Sequence, residues 1–367
     1  EMVDILERLE IKVNSYEDVF EAIVPTFRMD ITLEADIVEE IARIYGYDRL
    51  PITLPEGNVT HGRLNEKQKF LDEIREFMVY KGYSEIYTFS FVSPKVFDKI
   101  NAPEDSNLRQ AISLLNPLGE DHSIMRTTLI PNMLDVISFN LNRKLDELEL
   151  FEVGAAYLPE KLPLEELPHE NKRISIGTCG DAVDFYVLKQ VIESLFYRLQ
   201  IQNYKFEQSR HFAFHTGRCA RITIDDEVIG YAGEIHPDVL ENYEISKKVY
   251  LAELDLDIIL DKASRKIEFK PLPKFPSSDR DLAIVVDEKV LAADVITVIR
   301  EIGGKLLEEV ELFDVYQGSQ IESGYKSMAF SLVFRAEDRT LTDKEVNDIM
   351  ERITAGLEEK FDASLRK

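Results

Sequence analysis

From residue 274 onward, stretches of alternating and helical periodicity follow one another in an order that few folds accommodate. Residues 281–287 (Asp-Leu-Ala-Ile-Val-Val-Asp) alternate as a strand. Residues 292–302 have helical spacing and stop at Gly303-Gly304. Residues 310–316 and 327–334 alternate again. Thr342 with Glu345 forms a capping box for a helix reaching about Phe361, and 363–366 can close as an edge strand. Strand–helix–strand–strand–helix–strand predicts a ferredoxin-like unit over 274–367, introduced by Pro271, Pro273 and Pro276. Fold alone leaves a regulatory domain, an RNA platform and an enzyme piece all open.

At the other end, Leu33, Ile37, Ile41 and Ile44 recur at helical spacing. Asp30 or Thr32 can cap the start of that helix, and Gly46 can end it. Asp36, Glu39 and Glu40 share a second face, and Asp30 can fold back toward them from the entry loop. Hard cations such as magnesium take carboxylate oxygens. Acidic residues in a first turn also favour the helix dipole. Arg43 can pair with Glu39 four residues earlier, and a solvated acidic face is the commoner use of such groups. The residues alone leave both readings open.

Between these ends the pattern predicts an antiparallel sheet flanked by helices. A first domain over 1–52 gives way to a polar connector with breakers Pro55, Gly57 and Gly62. Residues 66–81 read as a helix with Phe70, Ile74, Phe77 and Met78 inward. Residues 84–92 read as one strand, 133–143 as a helix, and 147–153 as a strand ending at Gly154. A polar stretch reaches His169; then come a strand over 174–178, a helix over 184–199, a hairpin turning at 225–227, and a strand over 249–256. This module spans 66–265.

The chain has 367 residues, 44% of them hydrophobic, which is enough for two or three domains with real cores. No run is long and apolar enough for a bilayer, and no signal-peptide pattern opens it. The opening Glu-Met-Val-Asp-Ile-Leu-Glu-Arg-Leu reads as the middle of a helical domain, so preceding sequence is expected. Two cysteines, Cys179 and Cys219, imply free thiols and a reducing cytoplasm rather than a disulfide framework. A net charge of −25 argues against nonspecific nucleic-acid or DNA binding. It leaves room for a local RNA contact, with a partner chain supplying positive surface. His211 and His215, four apart, make a zinc pair only on a helix, and their surroundings read as extended. His122 and Ser123 are neighbours in sequence, which is no triad geometry.

Wording adds to pattern. Asp30, Asp36, Glu39 and Glu40, followed by Ile-Tyr-Gly-Tyr-Asp at 44–48 and Leu50-Pro51, resemble the B5 domain of the bacterial-type phenylalanine–tRNA ligase beta-subunit family. That resemblance implies a winged-helix-like domain in which these four carboxylates hold a magnesium ion shared with the alpha subunit. Asn116-Pro-Leu, 125–131 (Met-Arg-Thr-Thr-Leu-Ile-Pro), 150–154 (Leu-Phe-Glu-Val-Gly) and 233–237 (Gly-Glu-Ile-His-Pro) resemble the family's catalytic-like module, of class II synthetase type. Class II catalysis holds ATP with two arginines, whose planar fork suits oxyanions. The matching segments here carry neither, and no Gly-x-x-x-x-Gly-Lys loop exists. We therefore expect a module that makes no adenylate. Arg126 is open to two readings, a catalytic mimic or a core or interface salt bridge.

Residues 275–287 and 334–343 resemble the family's ferredoxin-fold anticodon-binding domain. Splayed bases are read by stacking and by hydrogen bonds, which makes Arg280, Tyr316, Lys326, Arg335 and Arg339 the candidate tRNA contacts. Each cation could instead be a plain surface residue, and Arg280 a salt bridge to Asp281 or Asp287. The resemblance implies an alpha2-beta2 assembly that makes phenylalanyl-tRNA(Phe), with ATP and phenylalanine bound by the alpha subunit. It also implies editing and tRNA-binding domains before residue 1. The rival is a stand-alone regulatory or interaction paralogue using the same folds. A metal-dependent enzyme centred on Asp30 and Asp36 ranks last, for want of a nearby histidine.

Overall fold

A small apolar cluster organises the N-terminal elements. In the computed structural model, which describes residues 1–54, 56–57, 61–264, 269, 271–318 and 320–366, Leu6, Ile11, Ile31 and Ile37 bury together. They join helix α1 (Met2–Arg8), the antiparallel pair β1 (Lys12–Ser15) and β2 (Phe20–Ile23), and helix α2 (Glu34–Tyr45). The inward stripe is narrower than predicted. Leu33 is the extended residue before the helix, so its side chain leaves the helical face and is exposed, while Ile37 and Ile41 pack inward. Gly46 ends the helix at φ 105°, where a Cβ would stand 2.7 Å from Asp48 Oδ1. Of the expected connector, Pro55 lies outside the described residues, as do the expected boundaries at 265 and 367.

The chain divides into two compact units: residues 1–188, 208–220 and 230–260, and residues 189–207, 221–229 and 261–367. The first continues through α3 (Glu66–Tyr80), β3 (Ser84–Glu85), β4 (Phe91–Val92), α4 (Val96–Lys99), β5 (Ile124–Met125), α5 (Ile130–Leu141), β6 (Leu148–Leu158) and β7 (His169–Cys179). After α6 (Phe185–Arg198) and β8 (Tyr204–Gln208) come β9 (Phe214–Ile224), β10 (Glu227–Ile235), α7 (Pro237–Asn242), β11 (Val249–Asp255) and α8 (Leu256–Lys262). Helix α3 begins at a capping box, with Asn65 and Gln68 exchanging two 2.8 Å bonds. Phe70, Ile74 and Met78 are buried, and Phe77 is half-buried. Strands β6, β7, β11 and β10 pair in that order, antiparallel as expected of this module, and β3 joins β6 in parallel.

Two strand expectations need correction. The single strand over 84–92 is two short strands, β3 on the large sheet and β4 paired with β5. Between them the Thr88 hydroxyl turns inward to Glu152, and Tyr87 and Phe89 project outward. Strand β6 does not end at Gly154 but runs to Leu158. The glycine is there for space: a Cβ would stand 2.2 Å from Arg126 Nη2.

One cross-strand row of the sheet is polar. Glu152 on β6 faces Ser175 on β7, Ser175 faces Glu253 on β11, and Glu253 faces Tyr231 on β10. Glu152 and Glu253 are 3% and 6% exposed. Buried carboxylates persist only when paired and hydrogen-bonded. Arg126 supplies this for Glu152, donating Nη1 to Glu152 Oε1 at 2.8 Å and to Thr88 Oγ1 at 2.8 Å, and Nε to the Ala155 carbonyl at 2.9 Å. Glu253 Oε2 accepts from Thr128 Oγ1 at 2.5 Å and from Leu129 N at 3.0 Å, and Oε1 accepts from Arg173. Above this row, Met133 and Ile137 of α5 close over Gly177.

In the second unit β12 (Ser278–Asp287), α9 (Ala292–Gly303), β13 (Leu307–Tyr316), β14 (Tyr325–Phe334), α10 (Asp343–Phe361) and β15 (Ser364–Leu365) follow the predicted order. The sheet order is β13-β14-β12-β15, all pairs antiparallel. Leu282, Ile284, Val286, Met328, Phe330, Leu332 and Phe334 meet Val295, Ile299, Val346, Ile349 and Ile353 in one core. Thr342 and Glu345 form the expected capping box.

Removing one member of a buried ion pair strands the other. Arg126→Ala or Glu152→Ala is expected to cost about 3–5 kcal/mol. The double replacement Arg126→Met with Glu152→Leu should cost clearly less than the sum of the single changes. Urea unfolding of the three variants checks this; additive losses would contradict the pairing.

Candidate functional site

The carboxylate segment before and within α2 is organised by arginine. Arg28 donates Nη2 to Asp30 Oδ2 at 2.7 Å and Nε to Asp30 Oδ1 at 3.0 Å, and the same Nη2 lies 3.0 Å from Glu40 Oε1. Arg43 adds a 2.7 Å contact to Glu40 Oε2. Asp36 is taken up by the helix start: its Oδ2 accepts from Thr32 N and Leu33 N, both at 2.7 Å. No side chain caps the helix as expected from Asp30 or Thr32; instead the first-turn carboxylate of Asp36 reaches back to the amides of Leu33, the residue before the helix, and Thr32. Glu39 is exposed. Asp30 and Glu40 are held below the usual carboxylate range chiefly by Arg28, and Asp36 by the two amides.

The oxygen donors are of the right kind for magnesium, but their arrangement does not fit it. A guanidinium lies between Asp30 and Glu40, and no group of three or more His, Cys, Asp or Glu converges as a metal cage among the described residues. His211 and His215 are also apart in role. His211 stacks with Phe212, Phe214 and Tyr231, and burial pushes its pKa down to about 4. His215 lies in β9, where its Nδ1 accepts from Gly217 N at 3.1 Å. His122 and Ser123 turn to different partners, the Phe91 and Glu120 carbonyls. Cys179 and Cys219 are buried free thiols, the latter pushed up to about 11 by burial. Arg126 is a core salt bridge, as already described.

The candidate RNA contacts fall into two sets. Register places Tyr316 opposite Ser327, on the sheet face turned away from α9 and α10. This face has a central strip of small residues, Ala283, Ser327, Ala329 and Ser331, flanked by Asp281, Glu309, Glu311 and Asp314. The Arg366 guanidinium lies 5.1 Å from the Tyr316 ring centre and 3.4 Å from Ser327 Oγ. The predicted cations do not gather there. Arg280 pairs with Asp343 at 2.9 Å, rather than with Asp281 or Asp287. Arg335 holds Glu308 and the Phe275 carbonyl, both at 2.6 Å, and Arg339 holds Glu345 at 2.5 Å. Lys326 is half-buried opposite Val286. Sequence reasoning missed Arg366; the signal was available only in the register of β15, which pairs with β12 and lets the Arg366 side chain reach across it to Ser327 of β14.

The family model for the tRNA synthetase B5 domain matches residues 1–47, that for the phenylalanyl tRNA synthetase beta chain CLM domain matches 50–256, and that for the ferredoxin-fold anticodon binding domain matches 273–366. The chain belongs to the phenylalanine–tRNA ligase beta-subunit family. It is 44% identical to the phenylalanine–tRNA ligase beta subunit of Clostridium tetani and 41% identical to that of Clostridium acetobutylicum, in each case over all of this chain and 46% of the relative. It therefore spans about half the length of these beta subunits. Among solved structures, a pyrrolysyl tRNA synthetase from Desulfitobacterium hafniense aligns at a TM-score of 0.44 and 14% identity, over 56% of this chain and 72% of that one, too slight a likeness to carry an argument.

The Asp36 bonds give this beta-subunit chain a pH signature. A carboxylate whose folded pKa is depressed stabilises fully above its unfolded pKa and loses that contribution as pH falls through the folded value. The Thr32 and Leu33 amide proton shifts should therefore titrate together, with a midpoint below the ordinary aspartate value of about 3.9. A midpoint at or above that value, read by NMR, contradicts the arrangement.

Proposed function

We propose that this chain is the part of a beta subunit that carries the catalytic partner and holds tRNA, without activating the amino acid itself. In this reading 1–52 is the B5-type winged-helix-like domain, 66–265 a non-catalytic module of class II synthetase type, and 274–367 the anticodon-binding domain. The observation that carries it is the occupied interior of the large sheet. Arg126 and Arg173 reach the polar row and are already committed to Glu152 and Glu253. ATP and phenylalanine would be bound, and the aminoacyl-adenylate made, on an alpha subunit in a cytoplasmic alpha2-beta2 ligase for tRNA(Phe).

A partner surface fits the first unit. A cleft of 780 Å³ between residues 86–99 and α5 is walled by Phe89, Phe91, His122 and Phe139. Its floor includes Asn132, whose side-chain oxygen is buried with no hydrogen-bond partner, and Asp135, whose pKa is raised by burial. Tyr87 and Phe89 are 79% and 69% exposed nearby. Clustered exposed aromatics mark interaction sites. A partner chain would cover the rings and bring a donor to Asn132.

For RNA, Tyr316 offers a stacking face and Arg366 a cation beside it. Arg280, Lys326, Arg335 and Arg339 would serve from the rim, with phosphates competing against the carboxylates that three of them now hold. The family resemblance assigns Asp30, Asp36, Glu39 and Glu40 to a magnesium site shared with the alpha subunit; in this arrangement Arg28 holds Asp30 and Glu40 and two amides hold Asp36, so such a site would require these pairings to open.

The test is copurification with the cognate alpha subunit and phenylalanylation of tRNA, using the complete beta chain with and without residues 275–367. Assembly retained with charging lost supports this reading. No association with alpha overturns it in favour of a stand-alone interaction protein. In the assembled enzyme, Tyr316→Ala should weaken tRNA binding by about 1–3 kcal/mol, the worth of one stacked base. Unchanged tRNA affinity would remove Tyr316 from the contact surface.

A further inference from the structure

We infer that the cleft beside α5 is a guanidinium receptor, filled in the assembled enzyme by an arginine side chain of the alpha subunit. This deepens the partner-surface reading above and rests on it. Asn132, Asp135, Val136 and Phe139 fall three and four apart on α5, so they present one stripe to the cleft. Asn132 is 8% exposed, and its Nδ2 donates to the Phe89 carbonyl at 3.2 Å. That bond fixes the amide, because the flipped group would set one carbonyl oxygen against another. Oδ1 is left buried and without a donor. A buried acceptor left unmet is costly, so an occupant that brings N–H groups is favoured.

The rest of the lining selects a cation. Asp135 forms no salt bridge or hydrogen bond through its side chain among the described residues. Lys99, the cation that faces it, holds its Nζ 4.8 Å from the Tyr243 ring centre and pairs with no carboxylate among those residues. Lys95 is spent on Glu120 at 2.9 Å, so Asp121 and Asp135 outweigh Lys99 along the cleft. Phe89, Phe91 and Phe139 add ring faces, which carry the negative side of the aromatic quadrupole and attract cations. Arg143, outside the cleft, already lays its guanidinium 3.3 Å from the Phe139 ring centre. Arginine suits the site better than lysine. Its plane can lie along a ring while its fork of N–H groups reaches both an amide oxygen and a carboxylate. A lysine ammonium is a compact point charge and is more strongly hydrated. In a chain of net charge −25, a cationic group is also the complementary one for a partner to bring.

The probe is N-acetyl-arginine methylamide, followed by saturation-transfer NMR on the full chain, with the citrulline analogue as its uncharged isostere. The arginine probe should bind about tenfold more tightly than the citrulline one, and Asp135→Asn should remove that preference. Phe89→Leu alters a side chain that is 69% exposed, so the fold is kept, and it should weaken the arginine probe by about threefold. In the complex with the alpha subunit the probe should no longer bind, because the cleft is filled. Equal affinity for the two probes, no saturable binding of the arginine probe, or no effect of Asp135→Asn overturns the receptor. Probe binding that persists unchanged in the complex overturns the assignment of the occupant to the alpha subunit. If alpha and beta do not associate, the partner reading fails on its own, and the two-probe comparison on the free chain still decides the receptor.

Discussion

A carboxylate in the middle of a sheet forces its surroundings to answer it. Glu152, 3% exposed, is tolerable only because Arg126 and Thr88 reach it together. That requirement propagates. It draws the chain at Thr88 inward and so breaks the strand that begins at Ser84. It demands a glycine at 154, and it ties the loop before α5 to β6 through the Arg126–Ala155 bond. Two strands away, Glu253 repeats the device with Arg173, Thr128 and the Leu129 amide. A row that could have been a binding surface is instead a polar core.

The same use of arginine recurs elsewhere. Arg28 closes the carboxylates around α2, while Arg280, Arg335 and Arg339 fasten the edges of the ferredoxin-like unit. In a chain with 69 acidic residues against 44 Lys and Arg, these arginines are each committed to a carboxylate. The exposed rings along the cleft at α5 and the Tyr316 ring are among the surfaces not closed by such pairs.

What could be read in advance follows from the range of each interaction. Local periodicity and caps disclosed the ferredoxin-like order, the α2 helix and its Gly46 stop, and the Thr342–Glu345 box, because each is settled within a few residues. The break between β3 and β4 was hidden, since its cause, Glu152, is 64 residues from Thr88. The end of β6 was misplaced because a glycine was read as a stop when it makes room for Arg126. In the carboxylate segment the residue types were legible but Arg28 was overlooked; its bond to Glu40 spans twelve residues across a turn. Arg366 depends on the register of a two-residue strand, which no pattern so short can specify.

The claim that the large sheet is a filled core with no activating site is tested most directly by calorimetric titration of the intact chain with ATP and magnesium, with and without phenylalanine. The account predicts no saturable heat up to about 1 mM, the upper end of ordinary substrate affinities. Saturable one-to-one binding that Glu253→Gln or Glu152→Gln abolishes would contradict it, because the buried row would then be a nucleotide site.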